Sequence, residues 1–413
     1  MKTQITDSHH KKSILVFVLL MLFFSHLKAS EAENTPQTSE SLLHSPYLCQ
    51  SVNVITGDYC EAATDFSNPS DPYLKIRRCF SNEEGWYFNL PLIQSPIPGD
   101  SDSPFTYNYD CQDRLSSVFK NGSKMPSIQI SYPEQTSGMA LQINETTLSY
   151  EFEKPDIRNG VPSFQIKRLC RDNTELCRYS YRAHPSLRKH LLERKDECNG
   201  NFLINEYYDK KINQVGDATI VIDDPVRDPL IGRIKLQKGP VGTDQTPVIT
   251  ARYFYYPGYT EVFDALDRKI VYHYQSDRLT ATEYYNEGYL YRTERLFWEK
   301  DKQREIWNLT AKSWEDSQGK AIKCQTFTYD SEGNQTSETL YGSLSGKDAP
   351  SPDIDDKGVV RENGVESYSI RRAYTEDATS RFVTESHDNG KVVTHAYDKK
   401  TALKIAEFTG NAT

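Results

Sequence analysis

The sequence predicts a mainly β chain: a β-rich N-terminal module, then a run of strand–turn–strand units, with one short helix near residues 186–196. Three observations carry this. Short runs of Val, Ile, Thr, Tyr and Phe alternate with turn clusters along most of the chain. Tyr and Phe number 27 and 17 while Met numbers only 4, a balance that suits half-buried pleated surfaces better than packed helices. From about residue 250 the turns recur behind an aromatic–Asp pair, a sign of internal repetition. Strands so short and so closely spaced suit a sandwich, a barrel or a spiral.

The chain opens with an export signal. Lys11 and Lys12 precede an unbroken apolar run from Ile14 to Phe24, followed by Ser25-His26-Leu27-Lys28-Ala29-Ser30. A positive flank, a short apolar core and a small residue make a secretory signal peptide spanning 1–29, cleaved after Ala29. The alternative is an uncleaved anchor, but so short a run makes a helix of roughly 16 Å, about half a hydrocarbon core. The expectation is an exported protein, secreted or held in the cell envelope, with no transmembrane segment after cleavage. Residues 1–29 carry Lys2, Lys11, Lys12, Lys28 and Asp7, so cleavage takes the formal charge from −9 to −12. So acidic a chain has neither the electrostatic footprint of a nucleic-acid binder nor a polybasic face for anionic lipid. Residues 30–45 are polar and without periodicity, a disordered leader.

Residues 46–249 form the N-terminal module. Val52–Ile55 precedes Thr56-Gly57-Asp58, Tyr73–Phe80 precedes Ser81-Asn82, and Ile128–Tyr132 precedes Pro133. Residues 98–104 (PGDSDSP) read as a loop. The helix begins after His184-Pro185-Ser186. Leu187, Leu191 and Leu192 share one helical face, Ser186 caps it, and Cys198-Asn199-Gly200-Asn201 ends it. It is too short to stand alone and should dock on a sheet.

All eight cysteines follow the signal, and an even number in an exported chain permits disulfides. Their connectivity is open. The pair best placed is Cys170 and Cys177, which flank the turn-like Arg-Asp-Asn-Thr-Glu-Leu. The alternative for these two is a pair of half-buried free thiols.

From 250 to 413 the rhythm changes. Thr260-Glu261-Val262-Phe263-Asp264, Phe327-Thr328-Tyr329-Asp330 and Thr394-His395-Ala396-Tyr397-Asp398 each end a strand at an aromatic–Asp pair before a polar turn. Asp264, Asp330 and Asp398 stand where a carboxylate accepts neighbouring backbone N–H groups. One such unit cannot bury its apolar side alone, so successive units must stack. Residues 343–367 are a polar loop inserted between two units.

These features together resemble the bacterial RHS/YD-repeat proteins. The Tyr-Asp turns resemble the repeat itself. Val52-Asn53-Val54-Ile55-Thr56-Gly57-Asp58-Tyr59, with Arg77-Arg78-Cys79-Phe80-Ser81 and Gly85-Trp86, resembles the module that opens many members. The resemblance covers about 46–90 and 250–413, and is loose between. It implies a β-spiral wound into a hollow shell, which in the family encloses a C-terminal toxin or, in teneurins, supports cell contacts. This sequence carries neither the Asp-Pro-rich core motif at which such chains cleave themselves nor a toxin domain, so the expectation is a short or truncated member forming part of the shell.

Cys170, Cys177, His184, His190 and Cys198 have no zinc-knuckle spacing. Asp353-Ile354-Asp355-Asp356-Lys357-Gly358 starts like a calcium loop, but Lys357 and Gly364 stand at ligand positions. Asp223-Asp224 reads as a turn. No G-x-S-x-G, H-E-x-x-H or phosphate loop is present. The expectation is therefore a non-enzymatic shell or surface-interaction protein without a cofactor. Its partners would be a second copy, a separately encoded RHS or toxin continuation, or a cell-surface glycan or protein. The alternative is a carbohydrate-binding or glycan-hydrolysing surface protein.

Overall fold

The computed structural model describes residues 48–411 apart from 69–70, 83–84, 89–104, 111–113, 121–122, 125–127, 133–137, 144, 154–164, 185–186, 188, 210, 216–217, 223–227, 242–243, 302–304, 347–348, 375–382, 389–390 and 398–403. The expected signal peptide, leader and 98–104 loop, with Asp223-Asp224 and the turn expected at Asp398, lie outside the described residues. Within them the chain is all-β, with no helix.

Twenty strands form one continuous antiparallel sheet that runs from Ile128–Ser131 to Lys404–Asn411 in chain order. The order follows from the turns. Asp172-Asn173, Ser276-Asp277 and Glu287-Gly288 take left-handed backbone at both central positions, the two-residue geometry whose twist matches that of the flanking strands. Across each of these turns the strand folds straight back on its predecessor. Two hairpins leave the order and return to it: Lys211–Val215 with Ala218–Ile222, and Asp353–Ile354 with Val360–Arg361. Position 249/250 lies inside the strand Asp244–Tyr256, and the sheet passes through it in both directions.

The helix expected near 186–196 is a strand. Lys189–Glu197 pairs with Thr174–His184 along its length and with Phe202–Tyr207 at its end. Leucines spaced for one helical face also suit a strand buried on both sides, and Leu191 and Leu192 are both buried. So short a helix is marginal, whereas pairing on two edges satisfies the backbone of 189–197 and of its neighbours. Tertiary context overrides the local pattern.

Residues 48–88 fold as small sheets of their own, chiefly Cys60–Asn68, Asp71–Ser81 and Gly85–Phe88. Their apolar side chains and one face of the large sheet share a single core. Val52, Val54, Tyr59, Ile76, Phe80 and Trp86 join Leu148, Tyr179, Tyr253, Val262, Tyr272 and Leu296 in it. The alternation of a strand explains the choice. Ala251, Tyr253 and Tyr255 point into this core, while Phe254 and Tyr256 between and beyond them are exposed. The opposite face is covered farther along the chain by the 343–366 insertion. Leu296 belongs to the main core, and its neighbour Phe297 lies under Gly358 of the insertion.

Candidate functional site: the seam between the N-terminal segment and the large sheet

The seam starts at a turn. Asn53 Oδ1 accepts from the amides of Ile55 and Thr56 at 3.0 and 3.2 Å, and the Gly57 amide donates to the Asn53 carbonyl at 2.7 Å. This folds Thr56-Gly57-Asp58 tightly against the strand after Arg233. Gly57 has φ +77°, and a Cβ there would stand 2.5 Å from Arg233 Cβ, so only glycine fits. The contact is fastened by the Ile234 amide donating to the Gly57 carbonyl (2.9 Å) and Arg233 Nη1 donating to the Ile55 carbonyl (3.1 Å). Thr260 Oγ1 donates to the Val54 carbonyl, and the Tyr253 hydroxyl to that of Cys49.

Farther along lies a buried ion network. Arg78 is 3% exposed. Its Nε donates to both Asp65 oxygens at 3.0 and 2.9 Å, and its Nη1 reaches Glu61 at 3.3 Å and the Tyr179 hydroxyl at 2.8 Å. The guanidinium lies over the Trp86 ring at 4.7 Å, a cation–π contact strengthened by desolvation. Lys195 Nζ donates to Glu61 at 3.1 Å, and the Tyr59 hydroxyl to its other oxygen at 2.9 Å. Tyr150 donates to Asp65 at 2.8 Å, and Arg171 donates to the Asp65 carbonyl. Trp86 Nε1 donates to the Tyr181 hydroxyl at 2.6 Å. The carboxylates and Arg78 come from the small sheet, while Tyr150, Tyr179, Tyr181 and Lys195 come from the large one. Ala63 opposite Arg78 leaves room for the guanidinium between Glu61 and Asp65.

The two carboxylates titrate differently for a visible reason. Burial works against the Glu61 charge, but Lys195 and Arg78 outweigh it and hold the carboxyl below its ordinary pKa. Asp65 has one cation at its carboxylate, and there burial wins over Arg78 and Tyr150, so its pKa is raised. Burial also opposes the Arg78 charge, yet Tyr179, Asp65 and Glu61 keep the guanidinium firmly protonated. All four carboxylate oxygens are occupied by donors of this chain. What the arrangement does is hold two sheets in register.

Comparison with known proteins adds the following. No protein-family model matches the chain, and no curated protein matches it. Among solved structures it is similar to the Tc holotoxin pore of Photorhabdus luminescens, at 12% identity over 79% of this chain, with a TM-score of 0.39. It is likewise similar to a TcdB2–TccC3–Cdc42 complex, at 11% identity over 80% of the chain and a TM-score of 0.29. The chain spans 16% and 20% of the lengths of those two structures. The neighbours are thus Tc toxin components, and superpositions this loose do not set a common fold.

Of the expected turn residues, Asp264 and Asp330 close turns of the large sheet. Asp264 Oδ1 accepts from the amides of Leu266 and Arg268 (2.8 and 3.0 Å), and its Oδ2 from Arg268 Nε (2.7 Å). Asp330 Oδ1 accepts from the amides of Glu332 and Asn334 (3.0 and 2.8 Å), and its Oδ2 from Asn334 Nδ2 (2.9 Å). Asp316, and Asp355 of the run that starts like a calcium loop, close the same turn with the amides at the same two spacings. The signal was there: Asp316 and Asp355, like Asp330, have glycine three residues on, at Gly319, Gly358 and Gly333, each with positive φ. The expected disulfide is not formed, and Cys170 and Cys177 carry free thiols. The register pairs Cys177 with Leu169 and Cys170 with Glu175, so successive positions put the two thiols on opposite faces of the sheet. Among the described residues no group of three or more His, Cys, Asp or Glu is placed to hold a metal. In the acidic loop, Asp355 is taken up by backbone amides and Asp353 by Arg361.

Proposed function

We propose that this chain is an exported, non-enzymatic shell protein of the toxin-delivery kind, whose N-terminal segment anchors a meander built by repeated Asp-closed turns. One observation carries the reading. Gly57, Arg78 and Trp86, which carry the resemblance to RHS/YD-repeat proteins, all fasten residues 48–88 to the large sheet. A segment so fastened gives the meander a fixed start from which hairpin can be added to hairpin. The partners in this reading are proteins: a second copy, or a separately encoded continuation of the shell.

Co-expression with the product of the neighbouring downstream reading frame tests it. A stable complex, seen by size-exclusion chromatography with light scattering, is the expected result. A chain that stays monomeric both alone and beside that product would overturn the reading. Export is checked by mass spectrometry of the mature N-terminus, expected at Ser30.

A second reading, binding of a cell-surface glycan, is favoured by one feature. Phe254 and Tyr256 are exposed on the face turned away from the seam, with Tyr256 stacked on Tyr259 at 4.7 Å. Aromatic faces of this kind suit sugar rings. Glycan-array binding that is lost in Tyr256→Ala would support it, and an empty array would remove it.

A further inference from the structure

The 343–366 insertion is not needed to complete the sheet. The strands on either side of it, Gln335–Gly342 and Ser367–Tyr374, pair directly, with Tyr341 opposite Ser367. The Gly342 amide donates to the Glu366 carbonyl at 3.0 Å and closes the base. Glu366 Oε2 tightens that base by accepting from the amides of Leu344 and Ser345 at 2.7 and 2.8 Å.

Residues 349–366 fold back over the sheet. Gly358 is buried with φ +83°, and a Cβ there would lie 2.7 Å from Phe297 Cβ and 3.1 Å from Ala311 Cβ. Ile354, Val360 and Val365 pack on Ala321, Cys324 and Tyr341, and the Tyr341 hydroxyl donates to Glu362 at 3.2 Å. Beneath them lies an unusual strip for a covered sheet face. Cys324 and Ser313 are fully buried and sit opposite each other. Ser313 Oγ donates to the buried Glu315 at 3.1 Å, and Glu315 accepts from Arg295 Nε at 2.9 Å. Burial, with Glu315 nearby, pushes the Cys324 thiol up to about 11.

The cover is weakly held. Beyond the contact of Gly358 with Phe297 and Ala311, its apolar contact is a cluster of three buried residues, separate from the main core. Its own strands, Asp353–Ile354 and Val360–Arg361, pair only with each other among the described residues. Asp355, Asp356, Lys357, Val359 and 361–364 face solvent. A segment with few buried contacts and no ladder to the sheet belongs to the low-stability end of a protein's opening motions.

We propose that residues 349–366 are a strap that opens as a local unit while the sheet stays folded, and that its opening uncovers Cys324 and the Ser313–Glu315 strip for thiol modification. The probe is iodoacetamide: the Cys324 sulfur bonds to the reagent's methylene carbon, iodide leaves and the thiol proton goes to solvent. The folded full-length chain is pulsed with the reagent at a series of low urea concentrations. Alkylation at each cysteine is read by peptide mass spectrometry and normalised to the denatured chain. Cys79, buried in the N-terminal sheet, reports global unfolding.

Cys324 is expected to react at least about tenfold faster than Cys79, with little dependence on urea. Gly358→Ala should raise the Cys324 rate by about tenfold again, because the new Cβ must lift the strap off Phe297, and should leave Cys79 unchanged. Replacing 344–365 by a short glycine linker should make Cys324 react without protection. Equal rates at Cys324 and Cys79 with the same urea dependence would overturn the proposal. So would a strapless chain that keeps Cys324 protected.

Discussion

Arg78 places its Nε 3.0 and 2.9 Å from the two oxygens of Asp65, on the strand that pairs antiparallel with its own. The same guanidinium reaches out of the small sheet to Tyr179 of the large one. One side chain thus completes the small sheet and fastens it to its support. Replacing it by Met would keep most of the volume and leave Glu61 and Asp65 without their shared partner. An uncompensated buried charge is destabilising by about 3–5 kcal/mol. Arg78→Met is therefore expected to lower the unfolding free energy, read from urea curves, by that amount. Joint replacement of Arg78, Glu61 and Asp65 by apolar residues should recover much of the loss. A single variant within about 1 kcal/mol of the natural chain, the size of a surface pair, would show that the network is dispensable.

The network also sets a pH dependence. The Glu61 pKa is lower in the folded chain than in the unfolded one. Its contribution is thus fully present above the unfolded value and is lost as pH falls through the folded value. The raised Asp65 has the opposite sign, favouring the folded chain as pH falls through its window. Urea midpoints measured from neutral pH downward should fall less steeply at the acid end in Glu61→Gln, and more steeply in Asp65→Asn. Parallel curves for all three proteins would contradict this assignment.

What could be read from the sequence and what could not divides along contact range. The turns at Asp264 and Asp330 are closed by atoms within four residues, so a short window contains the whole cause. The all-β character is local in the same sense, resting on alternation and strand-forming residues. Glu61 and Lys195 meet across 134 positions, and neither residue is unusual where it stands. The strand at Lys189–Glu197 was disguised by leucines that satisfy both periods, and only its pairing with Thr174–His184 decides between them. The thiols of Cys170 and Cys177 are near in sequence but separated by strand register, which spacing does not reveal.

Gly57 and Gly288 form a controlled pair. Both have positive φ, +77° and +83°, but a Cβ at Gly288 meets nothing within 4 Å, whereas one at Gly57 meets Arg233. Alanine at Gly288 should cost only the left-handed strain, roughly 1–2 kcal/mol. At Gly57 the clash adds an overpacking term of about 1–3 kcal/mol. Gly57→Ala should also loosen the seam, exposing the Gly57–Ile234 hydrogen bond to solvent. Denaturation curves and amide exchange at Ile234 read the two effects. Equal losses from the two substitutions would mean that the Thr56-Gly57-Asp58 turn does not press on the large sheet.

The last prediction concerns the turn that the meander reuses. Asp330 orders its turn through one oxygen that accepts two amides, and through a second that accepts from Asn334. Gly333 at φ +86° supplies the left-handed position that lets the chain re-enter the next strand. Asp330→Ala removes every one of these acceptors and is expected to destabilise by about 1–2 kcal/mol, the range for lost capping and charged hydrogen bonds. Asp330→Asn keeps a carbonyl oxygen for the two amides and loses only the charge and the contact with Asn334, so it should retain more than half of that stability. The comparison separates geometry from charge. If the two variants lose equal stability in urea, the carboxylate acts through its charge alone, and the shared turn at Asp264, Asp316 and Asp355 is not held by the backbone amides that the distances indicate.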